Sequence, residues 1–204
     1  MKKISIKPAL VLTVICLIAA FALAGVNAMT KDKIAENQMA ANLAAFETVV
    51  PGAASFEYDD AVSGAIADLD GEIYGDGAFG KVYINEAVHG IDENGGDAGW
   101  GLSVTSMEGF EGEITLTVGF EPDGTLTGIA FTTLNETAGM GMRVDEDEFK
   151  SQFAGVKTDV FTLNKAGNST TDDDIDSVSG ASTTSGAVVN AVNGAISFYQ
   201  TNIA

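Results

Sequence analysis

Apolar and polar positions follow different rhythms along this chain, and each rhythm predicts a different element. Between Lys7 and Lys31 runs PALVLTVICLIAAFALAGVNAMT, mostly apolar and without a charge. That length matches the roughly 20 residues a helix needs to span the hydrocarbon core of a bilayer. Beyond it, Ile34, Met39, Leu43, Phe46 and Val50 recur near helical spacing, predicting a helix that stops before Pro51. Residues 51–80 are rich in glycine and acid with little periodicity, so irregular structure with one short strand is expected there.

Strand patterns follow. Residues 81–88 (KVYINEAV) and 99–105 (GWGLSVT) alternate weakly. Residues 111–120 (EGEITLTVGF) alternate clearly, with Ile114, Leu116 and Val118 on one face. Pro122, Asp123 and Gly124 signal a turn, and residues 125–134 return as the partner strand of a hairpin. Residues 145–153 (DEDEFKSQF) place acids in the first turn of a short helix, and 165–174 form a polar loop. Val188, Ala191, Val192, Ala195, Ile196 and Tyr199 then mark an amphipathic helix over residues 183–199. The pattern predicts an α+β fold, an antiparallel sheet with flanking helices, on a single N-terminal transmembrane helix. The expected division is a cytoplasmic N-terminus at 1–7, an anchor at 8–30, a stalk helix at 31–50 and an extracytoplasmic domain at 51–204.

Charge sharpens this picture. The chain of 204 residues has a net charge of −19, and three of its ten cations, Lys2, Lys3 and Lys7, precede the apolar run. The remainder sets seven cations against 29 acids, a balance that repels nucleic acid and anionic lipid headgroups. The three leading lysines keep the N-terminus in the cytoplasm by the positive-inside rule. Two other export readings compete with an anchor. Val26, Asn27 and Ala28 resemble a signal-peptide cleavage site, and Cys16 could belong to a lipoprotein signal, although Val14 and Ile15 are larger than such signals carry. The apolar run exceeds the 7–15 residues of a typical signal core, which favours an uncleaved anchor.

Candidate chemistry is sparse. Cys16 is the only cysteine and His89 the only histidine, so disulfide frameworks, thiolate clusters and most zinc or haem sites are excluded. Asp172, Asp173 and Asp174 lack the alternation, the central glycine and the distal glutamate of a calcium loop. No metal site is expected. Trp100 and Phe131 are expected in the core rather than against a ligand.

Two segments stand apart. NETAGMGMRV (135–144) follows the predicted hairpin, and DSVSGASTTSGAV (176–188) turns directly into the last helix. Unsatisfied N–H groups at a helix start favour a phosphate. The plainer role of Ser182 or Thr183 is to cap that helix.

Together the two segments resemble the FMN-binding domain of the G subunit of the Rnf electron-transport complex, a relative of the C subunit of sodium-translocating NADH:quinone reductase. In that family E-T-P-G-L-G lines the flavin, and the final threonine of D-x-x-S-G-A-T carries FMN as a phosphoester. The matching residues here are Glu136, Thr137, Ala138, Gly139, Met140 and Gly141, then Asp176, Ser179, Gly180, Ala181 and Ser182. Ala138 replaces the family's proline, Met140 its leucine and Ser182 its acceptor threonine.

The resemblance implies covalent FMN on Ser182, with Thr183 and Thr184 as alternative acceptors. It implies that Glu136, Thr137, Gly139, Met140 and Gly141 line the flavin. Asp176, Ser179, Gly180 and Ala181 would form the attachment loop, and Thr183, Thr184 and Ser185 would supply donors. It also implies no catalytic residue for turnover, a flavin transferase for maturation, and membrane partners in an Rnf complex that couples ferredoxin oxidation and NAD reduction to ion transport. A free-standing exported flavoprotein of another redox chain is the alternative, and a non-redox acidic interaction domain the alternative from another class.

Overall fold

The computed structural model describes residues 7–204. The expected cytoplasmic segment 1–7 therefore lies outside the described residues, apart from the backbone of Lys7. The chain divides into two compact units, residues 1–41 and 42–204. Helix α1 (Lys7–Val49) runs through the expected anchor and stalk without a break. Within it, Leu10–Lys31 is long and apolar enough to cross a membrane, and its large apolar side chains are exposed.

In the second unit the chain builds a five-stranded antiparallel sheet in the order β1-β2-β3-β4-β5. The strands are β1 (Ser55–Glu57), β2 (Val82–Ile91), β3 (Asp97–Ser106), β4 (Ile114–Phe120) and β5 (Leu126–Leu134). The predicted hairpin is present, with Val118 opposite Ile129 and Gly119 opposite Gly128. Period-2 alternation sends Ala87, Leu102, Val118 and Ile129 to one face, where they join the core. The apolar stripe of the last helix, α4 (Ser182–Asn202), packs there through Val188, Val192, Ala195 and Ile196.

On the opposite face the end of α1 lies unusually close to the sheet. A Cβ at Gly101 would come within 2.5 Å of Phe46, and one at Gly119 within 2.7 Å of the Val49 side chain. Gly90 leaves similar room for Val50, and the Thr127 hydroxyl donates to the Val49 carbonyl. Glycines on three neighbouring strands thus admit a helix end that any larger residue would push away.

Three elements depart from expectation. Residues 51–80 hold a helix, α2 (Asp60–Asp68), whose start is capped by the Asp59 carboxylate accepting from the N–H groups of Ala61 and Val62. A 3₁₀ turn (Tyr74–Gly77) follows it. The polar loop is bounded by β6 (Thr162–Asn164) and β7 (Asp174–Asp176), which pair in parallel, so the expected loop residue Asp174 belongs to a strand. The short helix over 145–153 is present in pieces, a 3₁₀ turn (Gly141–Asp145), α3 (Asp147–Lys150) and a second 3₁₀ turn (Ser151–Phe153). Phe149, Phe153 and Phe161 then stack edge to face, with ring centroids 5.6 and 5.2 Å apart.

Trp100 stacks on His89, and both Trp100 and Phe131 pack against the core. His89 bonds to Asp97 across 2.9 Å.

Candidate functional site

Three stretches distant in sequence form the walls of one cleft of about 300 Å³. The first is the β3–β4 loop, which contributes Phe110. The second follows β5 and contributes Glu136, Thr137, Met140 and Gly141. The third opens α4 and contributes Gly180, Ala181, Ser182, Thr183 and Thr184. Both motif segments therefore face the same space, at the low end of the volume range of small-molecule sites.

Local chemistry explains the second wall. Thr137 accepts main-chain hydrogen bonds from Met140 (3.1 Å) and Met142 (3.2 Å), closing a tight turn. Gly139 occupies the left-handed region at φ +75°, which an L side chain resists. Gly139 shapes the turn but is not part of the cleft lining. Gly141 is needed for space: a Cβ there would approach Glu136 Oε2 to 2.6 Å and Thr184 Oγ1 to 3.0 Å. Met140 is half-exposed at the mouth, as is the more exposed Phe110.

Glu136 is buried, and its Oε1 accepts from the N–H groups of Phe110 (2.7 Å) and Glu111 (3.4 Å). One carboxylate thereby holds the first wall to the second. The hydroxyl of Thr137 donates to Glu111 across 2.6 Å and adds a second tie.

The third wall is the start of α4. Its N-cap is Ala181, with no side-chain cap, and Ser182 is the first helical residue. Neither Ser182 nor Thr183 caps the helix, contrary to the plainer expectation, because the helix begins one residue earlier than the periodicity suggests. The first-turn N–H groups are left without a side-chain acceptor, an arrangement that suits an anion.

Ser182 is half-buried, its hydroxyl 3.3 Å from that of Ser177. Thr183 is exposed, whereas Thr184 is 1% exposed. Ser185 turns inward, accepting from Val178 N–H (3.1 Å) and donating to the Ala181 carbonyl (3.0 Å). It clamps the loop from beneath and does not line the cleft.

Asp176 and Ser179 line a neighbouring cleft of about 460 Å³, together with Ser177 and Arg143. Asp176 accepts from Ser169 N–H across 3.0 Å. Its main chain is paired by the Gln152 amide, which accepts from Asp176 N–H (2.7 Å) and donates to Asp176 carbonyl (3.3 Å). Arg143 reaches Glu146 at 3.2 Å and Glu148 at 4.0 Å. The segment 177–180 thus separates two clefts, with Ser182 on one side and Asp176 on the other.

Phe110, Gln152 and Ser177 are not singled out by sequence. An aromatic in the glycine-rich stretch EGFEGE is a usable signal for Phe110. Gln152 and Ser177 act by pairing with groups far away or around a turn, which composition does not reveal. Among the described residues no group of three or more acids, histidines or cysteines could hold a metal ion.

Comparison with known proteins identifies the family of the chain. The FMN-binding domain family matches residues 109–197, which contain all three walls, and the RnfG N-terminal region matches residues 1–49. The chain is 30% identical to the G subunit of the Na(+)-translocating ferredoxin:NAD(+) oxidoreductase complex of Acetobacterium woodii, covering 97% of this chain and 93% of that protein. It is also 30% identical to the G subunit of the ion-translocating oxidoreductase complex of Escherichia coli K12, covering 87% and 82% of the two chains. Among solved structures, NqrC of Shewanella oneidensis is 23% identical with a TM-score of 0.46, over 56% of this chain and 57% of that one. An acidic interaction domain without redox chemistry does not account for the family matches. The chain belongs to the family of G subunits of ion-translocating oxidoreductase complexes and carries the FMN-binding domain of that family.

Proposed function

We propose that this protein is the electron-transfer subunit of a membrane-bound, ion-translocating ferredoxin:NAD oxidoreductase, and that it carries FMN as a phosphoester on Ser182. The observation that carries the reading is the single cleft lined by both 136–141 and the start of α4, with Ser182 as the first helical residue.

The residues fit the group. The α4 N-terminus offers uncapped N–H groups beside the Ser182 hydroxyl, suited to the remaining negative charge of a phosphodiester, and such placement contributes up to about 2 kcal/mol when partly buried. Gly180 and Gly141 keep side-chain bulk out of the cleft, and Met140 and Phe110 supply an apolar mouth for a flat ring. Bound flavin supplies the electron chemistry, while the chain attaches it, orients it and sets its electrostatic surroundings.

Attachment takes place on Ser182. Its hydroxyl would accept the FMN phosphoryl group from a flavin dinucleotide held by the transferase, with AMP as the leaving group and the hydroxyl proton passing to the transferase. Ser182 is preferred to Thr184 because the latter is almost fully buried, and to Thr183 because Ser182 stands at the motif's acceptor position. Ser177, at 3.3 Å, orients the acceptor hydroxyl. Asp176, in the neighbouring cleft, acts in loading and in holding the loop.

The apolar helix Leu10–Lys31 anchors the protein with its N-terminus in the cytoplasm, so that the FMN domain lies on the outer face against other subunits of the complex. The test is coexpression with a flavin transferase, followed by a denaturing gel viewed under ultraviolet light. A fluorescent band that disappears in Ser182→Ala is expected. Fluorescence that survives there and vanishes in Thr183→Ala or Thr184→Ala would move the attachment site, and no fluorescence in the wild type would sink covalent FMN.

A further inference from the structure

Glu136 presents an anomaly that its structural role leaves unexplained. The residue is 7% exposed, and while Oε1 accepts from two main-chain N–H groups, Oε2 is buried without a partner. Among the described residues no lysine or arginine pairs with it. Leaving one oxygen of a buried carboxylate unpaired is costly. The hydroxyl of the adjacent Thr137 donates to Glu111, not to Glu136. Gly141 lies directly against this oxygen, since a Cβ there would sit 2.6 Å from it.

An acceptor that is buried, unpaired and on the wall of a ligand cleft calls for a donor on the ligand. We propose that Oε2 of Glu136 accepts the hydrogen bond of the flavin ring N3–H and, through its charge, holds the flavin potential down. This rests on the reading of the cleft as the FMN site. In oxidised flavin N3–H is the ring's one N–H donor, so a carboxylate facing the ring can be satisfied only there. The ring, rather than the ribityl chain, is assigned to this end because Glu136 also fixes the main chain of Phe110, which with Met140 forms the apolar mouth. A negative charge in low-dielectric contact with the ring opposes the addition of electrons. Glu136 is thus a positioning residue that also tunes the cofactor.

The test compares flavin-loaded wild type with Glu136→Gln, which keeps the shape and an oxygen for Phe110 N–H. The midpoint potential rises in the variant by at least a tenfold change in the reduced-to-oxidised ratio, about 30 mV for a two-electron couple. An unchanged or lowered potential overturns the proposal, since Glu136 would then either miss the ring or donate a proton to it.

Should the variant fail to fold or load, the wild type decides alone. With ¹⁵N-labelled flavin, the N3–H proton resonance is shifted downfield and protected from exchange with water. A freely exchanging N3–H overturns the proposal. Failure of the wild type to take up flavin at all is a separate result, and it would count against the FMN reading itself.

Discussion

Glu136 and Gly141 are built around each other: a single Cβ at residue 141 would press to 2.6 Å on the unpaired carboxylate oxygen and to 2.8 Å on Glu136 Cβ. The second glycine of the 136–141 segment is therefore required by a side chain five residues earlier. Gly141→Ala forces Glu136 or Thr184 to move. The expected results are a stability loss of about 1–3 kcal/mol by urea denaturation and a fall in flavin incorporation. Wild-type incorporation at wild-type stability would contradict this packing.

Gln152 and Asp176 make the second such relationship, with one side-chain amide pairing both main-chain polar groups where β7 leads into the attachment loop. Gln152→Ala leaves both without that partner at a half-buried position. Stability is expected to fall by about 1 kcal/mol, and the initial rate of flavin attachment several-fold, since the loop ahead of Ser182 loses its fixed start. Gln152→Glu keeps the acceptor for Asp176 N–H and is expected to lie between the two. A normal attachment rate in Gln152→Ala would show that the loop is held by other means.

Asn193 is a buried polar residue on α4 that plays the same part for the chain entering β6. It accepts from Phe161 N–H at 2.7 Å and donates to Phe161 carbonyl at 2.9 Å. Asn193→Leu leaves two buried main-chain groups unpaired, at about 1–3 kcal/mol each. Urea unfolding should show this loss. Asn193→Asp, which retains the acceptor only, is expected to fall between wild type and Asn193→Leu. Equal stability of the three proteins would contradict this role.

These relationships mark where sequence reading succeeds and where it stops. Strands β4 and β5 are legible because alternation of Ile114, Leu116 and Val118 meets a Pro-Asp-Gly turn. Both motif segments are legible as glycine- and hydroxyl-rich breaks beside regular elements. Helix α2 escapes the pattern although Val62, Ile66 and Leu69 are helically spaced behind the cap Asp59, because Gly64 and the surrounding acids mask the stripe. The β6–β7 pair is invisible, since three-residue strands in parallel register show no period of their own. The separation of Asp176 from Ser182 into different clefts, and the unpaired oxygen of Glu136, arise from tertiary pairing alone.

Tyr58 donates to the Glu86 carboxylate, and that bond, followed by burial and the Glu86 charge, pushes its phenol from 10.0 up to about 12. Burial first, then the charges of Asp97 and Asp123, also raises Tyr199. Because the folded value of Tyr58 lies above the unfolded one, its contribution to stability is complete below pH 10 and is lost as pH rises towards 12. Ultraviolet titration should show Tyr58 and Tyr199 ionising late, and Glu86→Gln should bring Tyr58 back towards 10.0. An unchanged titration in Glu86→Gln would contradict the pairing.

The hydroxyl proposed to carry the flavin is that of Ser182, at the start of α4. Peptide mapping by mass spectrometry, after coexpression with a flavin transferase, tests it most directly. A single modified peptide is expected, heavier by FMN less one water, with fragmentation that assigns the added mass to Ser182 and an intact mass that is unmodified in Ser182→Ala. Added mass that persists in Ser182→Ala, or fragments that assign it to Thr183 or Thr184, would contradict it.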